Sequence, residues 1–432
     1  MNKFISKVAL AVLLFIYIYN PPLRFFPLNS GIIIGGVFFI LYLFQLLIKM
    51  SLLKTVTFNR HLLMLIGIIA LLVLYSFLMG AISGAADFQL SKNYLSFLLF
   101  YLPGAFGIVE LFKKYFTATE VLKIFVSVTV LQSIIMIAML VSPEIKDFFF
   151  SILRDADARL KQNQISGGFR FLGFAFGGSW DLSIVQSFGI MLIALLIKTG
   201  RYKINLKIAL LFLLLVVSVF LAGRTGIFGI LLALLLLIPV RTTEIPFYKL
   251  TKLLVFICLV TVPLFFFIRS KIPDTVADIL QTKFLPWAVE MFQNDNGTVL
   301  ETRSSNELKT MYFLPAAKTV LLGDGYYKNQ QDPNRYYMDT DAGYMRHLLF
   351  YGIIGSVMQI FFYLVLFYQM YTFSSALQQP LATRLFVIFT AIYFFVSHIK
   401  GDLLGGADMP VKTLIFLYAV LLSFYHQEKK YT

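Results

Sequence analysis

Read from its N-terminus, the chain is a succession of apolar runs, each bounded by charge, glycine or proline. The runs fall at residues 4–19, 31–48, 62–82, 94–112, 120–141, 182–198, 204–222, 226–240, 250–268, 346–372, 384–400 and 411–426. A helix that crosses a bilayer needs about 20 predominantly apolar residues. The pattern therefore predicts an all-α polytopic membrane protein, a bundle of about twelve transmembrane helices. Two longer polar stretches interrupt it, 142–181 and 269–345. The second, between helices nine and ten, is too long for a bare connection. Within it, Pro273 to Gln293 and Ser304 to Leu322 alternate apolar and polar residues at helical spacing, with an Asn-Asp-Asn-Gly turn at 294–297 between them. That spacing predicts two amphipathic helices on the outer membrane surface or capping the bundle. No internal repeat or low-complexity linker divides residues 1–432, so a single integral membrane domain is expected.

Composition agrees with this reading. Hydrophobic residues make up 59% of the chain and charged residues 14%, against about 25% charged in a soluble domain. The 37 Lys and Arg against 22 Asp and Glu leave a net charge of +15, which in a soluble protein suggests nucleic acid. In a membrane protein the basic residues must first be divided between the two sides. With a cytoplasmic N-terminus, 18 of them fall in inner loops, from Lys3 and Lys7 to Lys429 and Lys430, and only five in short outer loops. The positive-inside rule thus places both termini in the cytoplasm and the two long polar stretches outside. The other 14 basic residues are 13 in those stretches and Arg346 at the edge of the second. They are available there to an anionic substrate, and nucleic acid is not an expected partner. Lys3 and Lys7 ahead of residues 8–19 have the charge pattern of a signal peptide. Asn20-Pro21-Pro22-Leu23-Arg24 offers no small-residue cleavage site, so an uncleaved first span is expected. The single cysteine, Cys258, excludes a disulfide within the chain.

Few residues remain to carry chemistry. Arg224 lies in a turn, Gly223-Arg224-Thr225-Gly226, between two almost purely apolar spans. Charges at the membrane edge are functional candidates by default, and guanidinium suits bidentate phosphate recognition. The bland alternative is an arginine that snorkels to the interface. Arg170 is the one cation of the glycine-rich stretch 167–181. Irregular backbone there is expected to line a cavity, into which Arg170 would point; a surface loop is the alternative. Asp341 and Arg346 lie at the outer end of the tenth span. A carboxylate in that place serves as a base or a sugar-hydroxyl acceptor, or as a helix cap. His347, one residue on, is a catalyst or a satisfied core histidine. The four histidines, His61, His347, His398 and His426, show no metal-ligand spacing, so no metal site is expected. Asp402 and Asp408, beside Gly401, Gly405 and Gly406, read as turn residues.

These pieces together resemble the O-antigen polymerase and ligase superfamily, membrane enzymes that join lipid-linked oligosaccharides. Four local features carry the resemblance over essentially the whole chain: the Gly-Arg-Thr-Gly turn at 223–226 leading into a Leu-rich span; Arg170 ahead of Leu172-Gly173-Phe174; Arg303 before a segment ending Leu-Leu-Gly-Asp-Gly at 321–325; and Asp341-Ala342-Gly343-Tyr344 with Leu-Leu-Phe-Tyr-Gly-Ile-Ile-Gly at 348–355. The ligase branch usually has Ser-His-Asn before the span that follows the large loop. Counting back from Gly352 places Thr340-Asp341-Ala342 there, with aspartate in the histidine's position. The polymerase branch is favoured, and His347 nearby keeps the ligase in view.

The resemblance implies a metal-independent glycosyltransferase of the bacterial inner membrane that needs no cofactor. It would polymerise the repeat units of an O-antigen, a capsule or an exopolysaccharide. It would work on the periplasmic side, moving a growing chain from undecaprenyl diphosphate to a new undecaprenyl-diphosphate-linked oligosaccharide, with a flippase and a chain-length regulator as companions. Arg170 and Arg224 are then expected to stabilise the diphosphate, and Asp341 to activate the acceptor. Arg303 and Arg346 would add substrate contacts, with Tyr344 stacking on sugar and His347 beside it. A lipid-oligosaccharide flippase or other transporter, also of about twelve spans, is the alternative from another class.

Overall fold

The computed structural model describes residues 3–51, 59–84, 86–157, 172–238, 303–332, 335–377, 379–406 and 408–428, with isolated positions between 251 and 286. Fifteen α-helices run through the described residues. They are α1 (Lys3–Tyr19), α2 (Ser30–Ser51), α3 (Arg60–Ile82), α4 (Gln89–Ser96), α5 (Leu102–Phe112), α6 (Ala118–Val141), α7 (Pro143–Ile152), α8 (Ser179–Lys198), α9 (Leu206–Ala222), α10 (Thr225–Leu237), α11 (Arg303–Met311), α12 (Ala317–Leu322), α13 (Gly343–Thr372), α14 (Pro380–Lys400) and α15 (Asp408–Glu428). A π-helical turn, Phe97–Tyr101, joins α4 to α5. Pairing of β type is limited, among the described residues, to two isolated bridges. Eight of these units are long and apolar enough to cross a membrane: α2, α3, α4 with α5, α6, α8, α13, α14 and α15; α9 and α10 are shorter apolar helices. The run at 250–268 and the amphipathic segment 273–293 lie outside the described residues. The amphipathic segment 304–322 forms two short helices, α11 and α12, instead of one. Pro315 lies between them, and a proline disfavours helix at the residue before it.

The bundle is built around α8 and α15. Every residue of α8 except Trp180 is buried, whereas α2 and α3 turn apolar side chains such as Phe44, Leu71 and Phe77 outward. A charge in a central helix must be paired or it costs several kcal/mol. Lys412 of α15, wholly buried, donates to Asp408 Oδ2 at 2.9 Å. Asn20, just past α1, donates to the same oxygen at 2.6 Å. This pairing brings the end of α1 to the start of α15. Contacts of Ser83 with Gly325 and of Asp87 with Tyr327 bring the end of α3 and the 323–342 loop to the same end of the bundle. The opposite end is marked by the Lys3–Glu120 ion pair and by His61 against Phe373.

The helix α13 is broken. Gly352 adopts φ 66° and ψ −167° inside it, backbone open essentially to glycine alone. The break leaves carbonyls of the preceding turn without helical partners, and backbone from the loop after α12 takes them up. Asp324 N donates to Leu349 O at 2.6 Å and Gly325 N to Phe350 O at 3.2 Å. The approach is close enough that a Cβ on Gly323 would stand 2.3 Å from Phe350 O, and one on Gly352 2.4 Å from Leu321 O. The N-terminal part of α13, Gly343 to Tyr351, is thereby held by the loop as well as by its own helix. It is the part that carries the candidate site.

Candidate functional site

Arg346 is the site's buried cation. Its side chain is 5% exposed, yet the ion pair with Asp341 is long, Nη1 to Oδ1 being 4.0 Å. Two tyrosines flank the guanidinium, with its centre 3.5 Å from the Tyr336 ring centroid and 4.0 Å from that of Tyr327. Desolvated contacts of this kind are worth about 2 kcal/mol or more. The pairing of the loop on itself sets both rings: Lys328 and Tyr336 form an antiparallel bridge. The amides of Tyr327 and Lys328 both donate to Asp87 Oδ2 at 2.8 Å, which pins the loop to the α3–α4 connection. On the mouth side, Asp341 is 57% exposed, and Tyr336 and Tyr344 are half-buried.

Behind Arg346 lie two histidines and an aspartate. His347 Nε2 is 2.7 Å from Asp402 Oδ1, which also accepts from Gly405 N at 2.8 Å. The other oxygen of Asp402 accepts a short hydrogen bond from the Tyr327 hydroxyl. His398 stands on the far side of His347, with ring centroids 5.1 Å apart. Its Nδ1 accepts from Leu403 N at 3.0 Å and Leu404 N at 3.3 Å. Gly343 makes this packing possible, because a Cβ there would meet His398 O at 2.4 Å and His398 Nδ1 at 2.5 Å. Both histidines and Asp402 are almost wholly buried.

The electrostatics separate the two carboxylates. Burial raises the Asp402 carboxyl, but the hydrogen bond from His347 and the guanidinium of Arg346 hold it well below the usual carboxylate range. It is an anion with three donors around it. Asp341 is shifted the other way, raised by the partial desolvation of its exposed side chain against the opposing pull of Arg346. Burial, and then Asp402, push the Tyr327 phenol well above its ordinary value, so it stays a donor. Three buried polar atoms on neighbouring residues have no hydrogen-bond partner among the described residues: Arg346 Nε, His347 Nδ1 and His398 Nε2. Orphaned groups in one place, each costing about 1–3 kcal/mol, mark where a ligand's oxygens or water would be bound.

Of the residues singled out in the sequence, Asp341, Tyr344, Arg346 and His347 converge here. Tyr344 stands edge-on to His398, with centroids 4.4 Å apart, and its hydroxyl donates to Phe395 O. Arg224 is not part of the cluster but lies at the same end, at the start of α10. Its neighbour Gly223 lies against Trp180, a Cβ there being 3.5 Å from Trp180 Cα, and the Trp180 ring in turn abuts Gly401, next to Asp402. Arg303 begins α11, which docks through Leu308 and Met311 on Met345 and Leu349; its side chain lies outside the described residues, as does the whole of Arg170.

The sequence reading takes Asp402 for a turn residue and gives His398, Tyr327 and Tyr336 no role in the site. It is corrected on the histidines: two of the four converge with an aspartate, offering ligand-type atoms within 4.8 Å of one another. Spacing along the chain hid this, since 55 residues separate His347 from Asp402. As arranged, the trio is a hydrogen-bonded network, with both Asp402 oxygens and His398 Nδ1 already engaged. The available signal was that each of these residues stands at the end of an apolar run, where the bundle brings run ends together. No protein-family model and no curated protein matches this chain.

Proposed function

We propose that the protein is a membrane glycosyltransferase that polymerises lipid-diphosphate-linked oligosaccharides, working at the periplasmic end of a bundle of about twelve spans in the bacterial inner membrane. The observation that carries this reading is the stacked Arg346 guanidinium beside the His347–Asp402 pair at the bundle end that the charge rule assigns to the outside. In the reaction the acceptor hydroxyl gives its proton to His347 as its oxygen bonds to the donor's anomeric carbon. The bond from that carbon to the diphosphate oxygen breaks, and the electron pair leaves with undecaprenyl diphosphate. Asp402 orients and charge-stabilises the imidazole, following the logic of a base held by a buried carboxylate. Asp341, exposed at the mouth, accepts hydrogen bonds from the acceptor sugar. Arg346, with Arg224 at the same end of the bundle, meets the diphosphate, whose developing charge needs fixed donors and no metal, and Arg170 and Arg303 are proposed from the sequence as further contacts. Tyr344 and Tyr336 offer rings for sugar to stack on.

The test is reconstitution in nanodiscs with a lipid-linked repeat unit. A ladder of extended chains is expected, persisting in chelator and abolished by His347→Ala. Loss of the ladder in chelator would instead make His347, His398 and Asp402 metal ligands; an undiminished ladder in the His347→Ala protein would refute the base. One further reading has specific support. The broken helix α13 and the buried Lys412–Asp408 pair are features of transporters. Translocation of the lipid-linked unit across vesicles without any extension would favour it.

A further inference from the structure

Both imidazoles of the site have one engaged and one open nitrogen, but their engaged sides differ. His347 Nε2 faces a carboxylate oxygen at 2.7 Å, so the proton belongs on Nε2 and the open Nδ1 is a lone pair. His398 Nδ1 faces two backbone N–H groups, those of Leu403 and Leu404 at 3.0 and 3.3 Å. A nitrogen that accepts two amide protons has no room for its own, so the proton belongs on Nε2. The same two amides oppose imidazolium formation, since a proton on Nδ1 would point at them. These contacts favour a neutral ring with the proton on Nε2, Asp402 Oδ1 standing farther off at 3.9 Å from Nδ1, and Nε2 is buried without a hydrogen-bond partner among the described residues. A donor left unsatisfied one ring behind the Arg346 cation is matched by an anionic oxygen. Resting on the glycosyl-transfer reading above, we propose that His398 is a substrate-contacting donor that gives the Nε2–H hydrogen bond to a phosphate oxygen of the leaving lipid diphosphate. No proton is transferred. The hydrogen bond strengthens as the bond to the anomeric carbon breaks and charge gathers on the diphosphate.

Two substitutions divide this role from a merely structural one. Asparagine places an oxygen near Nδ1 and nothing at Nε2, so His398→Asn keeps the acceptor for Leu403 and Leu404 while removing the donor. Glutamine reaches the Nε2 position with an amide. His398→Asn is expected to lower chain extension about 10²–10³-fold, the effect of losing one such donor, without moving the pH profile, and His398→Gln to restore part of it. Equal activity of wild type and His398→Asn overturns the proposal, as does a displaced pH limb. Nitrogen-15 spectra of imidazole-labelled protein in nanodiscs provide a readout independent of turnover. His398 should keep its Nε2–H tautomer across about pH 5–8, and that N–H should shift when undecaprenyl diphosphate is added. An Nδ1–H tautomer, or an Nε2–H indifferent to the lipid, refutes the assignment even if chains are still made. A lipid-induced shift in a protein that makes no chains upholds the donor and discards glycosyl transfer.

Discussion

Asp402 decides what His347 can do. With the carboxylate on Nε2, the imidazole presents Nδ1, and in the proposed reaction it would take up a proton there next to a fixed negative charge. Asp402→Asn keeps the shape, and an asparagine amide facing Nε2 reverses the tautomer. Chain extension is expected to fall by up to about 10⁴-fold, the scale seen when an orienting aspartate is amidated; the band ratio of the glycan ladder at fixed time measures it, and a loss below about tenfold would mean that His347 is not the base. Asp341 gives the pH dependence. Its carboxyl is raised from 3.8 by burial, and it accepts sugar hydroxyls more strongly when ionised, so acceptor binding improves as pH rises through that raised value. The Michaelis constant for the acceptor should rise on acidification at a pH above the ordinary aspartate range. In Asp341→Asn it should be about 10- to 100-fold higher and flat in the same window. In stability the sign is opposite, because a raised carboxyl favours the fold below 3.8 and loses that contribution as pH rises past its folded value. This end of the site was legible locally, since Asp341, Tyr344, Arg346 and His347 fall within seven residues at the start of one apolar run. Asp402 and His398 were not, because their glycine-rich surroundings have the signature of a turn and their partner is more than fifty residues upstream.

At the scale of the element, α13 is two half-helices stitched to the loop from Leu321 to Gly325. The sequence predicts a continuous span from 346 to 372, since hydropathy does not register one residue of positive φ, and Gly352 in an apolar run reads as an ordinary helix glycine. What distinguishes it is the neighbour: Gly323 and Gly352 each occupy space that only hydrogen leaves open for the other strand of backbone. Gly352→Ala should therefore destabilise the protein by about 1–3 kcal/mol from backbone strain alone, with more from the clash at Leu321 O. Gly67→Ala, in α3 with nothing within 4 Å of the added carbon, should be neutral or stabilising by helix propensity. Thermal unfolding of the two variants in the same detergent measures the contrast. Equal melting temperatures would mean that the break is not a fixed feature of the fold. Because the Arg346–His347 turn sits on the N-terminal half-helix, Gly352→Ala is also expected to reduce chain extension by more than its loss of folded protein explains.

For the whole molecule, the decisive quantity is the side of the membrane on which the cluster lies. The apolar runs announced a bundle, and the charge rule oriented it, but only packing brought the ends of α1, α3, α13, α14 and α15 together at one face. Basic residues at the opposite end, among them Lys3, Lys7, Lys113, Lys114, Arg201 and Lys203, are the side chains that the positive-inside rule retains in the cytoplasm. The site end carries Arg346 at the start of α13 and Arg224 in the short turn before α10, and under the proposed function a lipid diphosphate in the periplasmic leaflet would meet both without crossing hydrocarbon. In intact cells carrying the protein with Cys258→Ser as background, Arg335→Cys, whose arginine is 66% exposed beside Tyr336, should react with a membrane-impermeant maleimide. Lys113→Cys, at the other end, should react only after the membrane is opened. The reverse pattern would put the cluster in the cytoplasm. A nucleotide-sugar donor would then replace the lipid-linked one, since activated sugars on that side are soluble, while the roles of His347 and Asp402 in accepting a hydroxyl proton would stand unchanged.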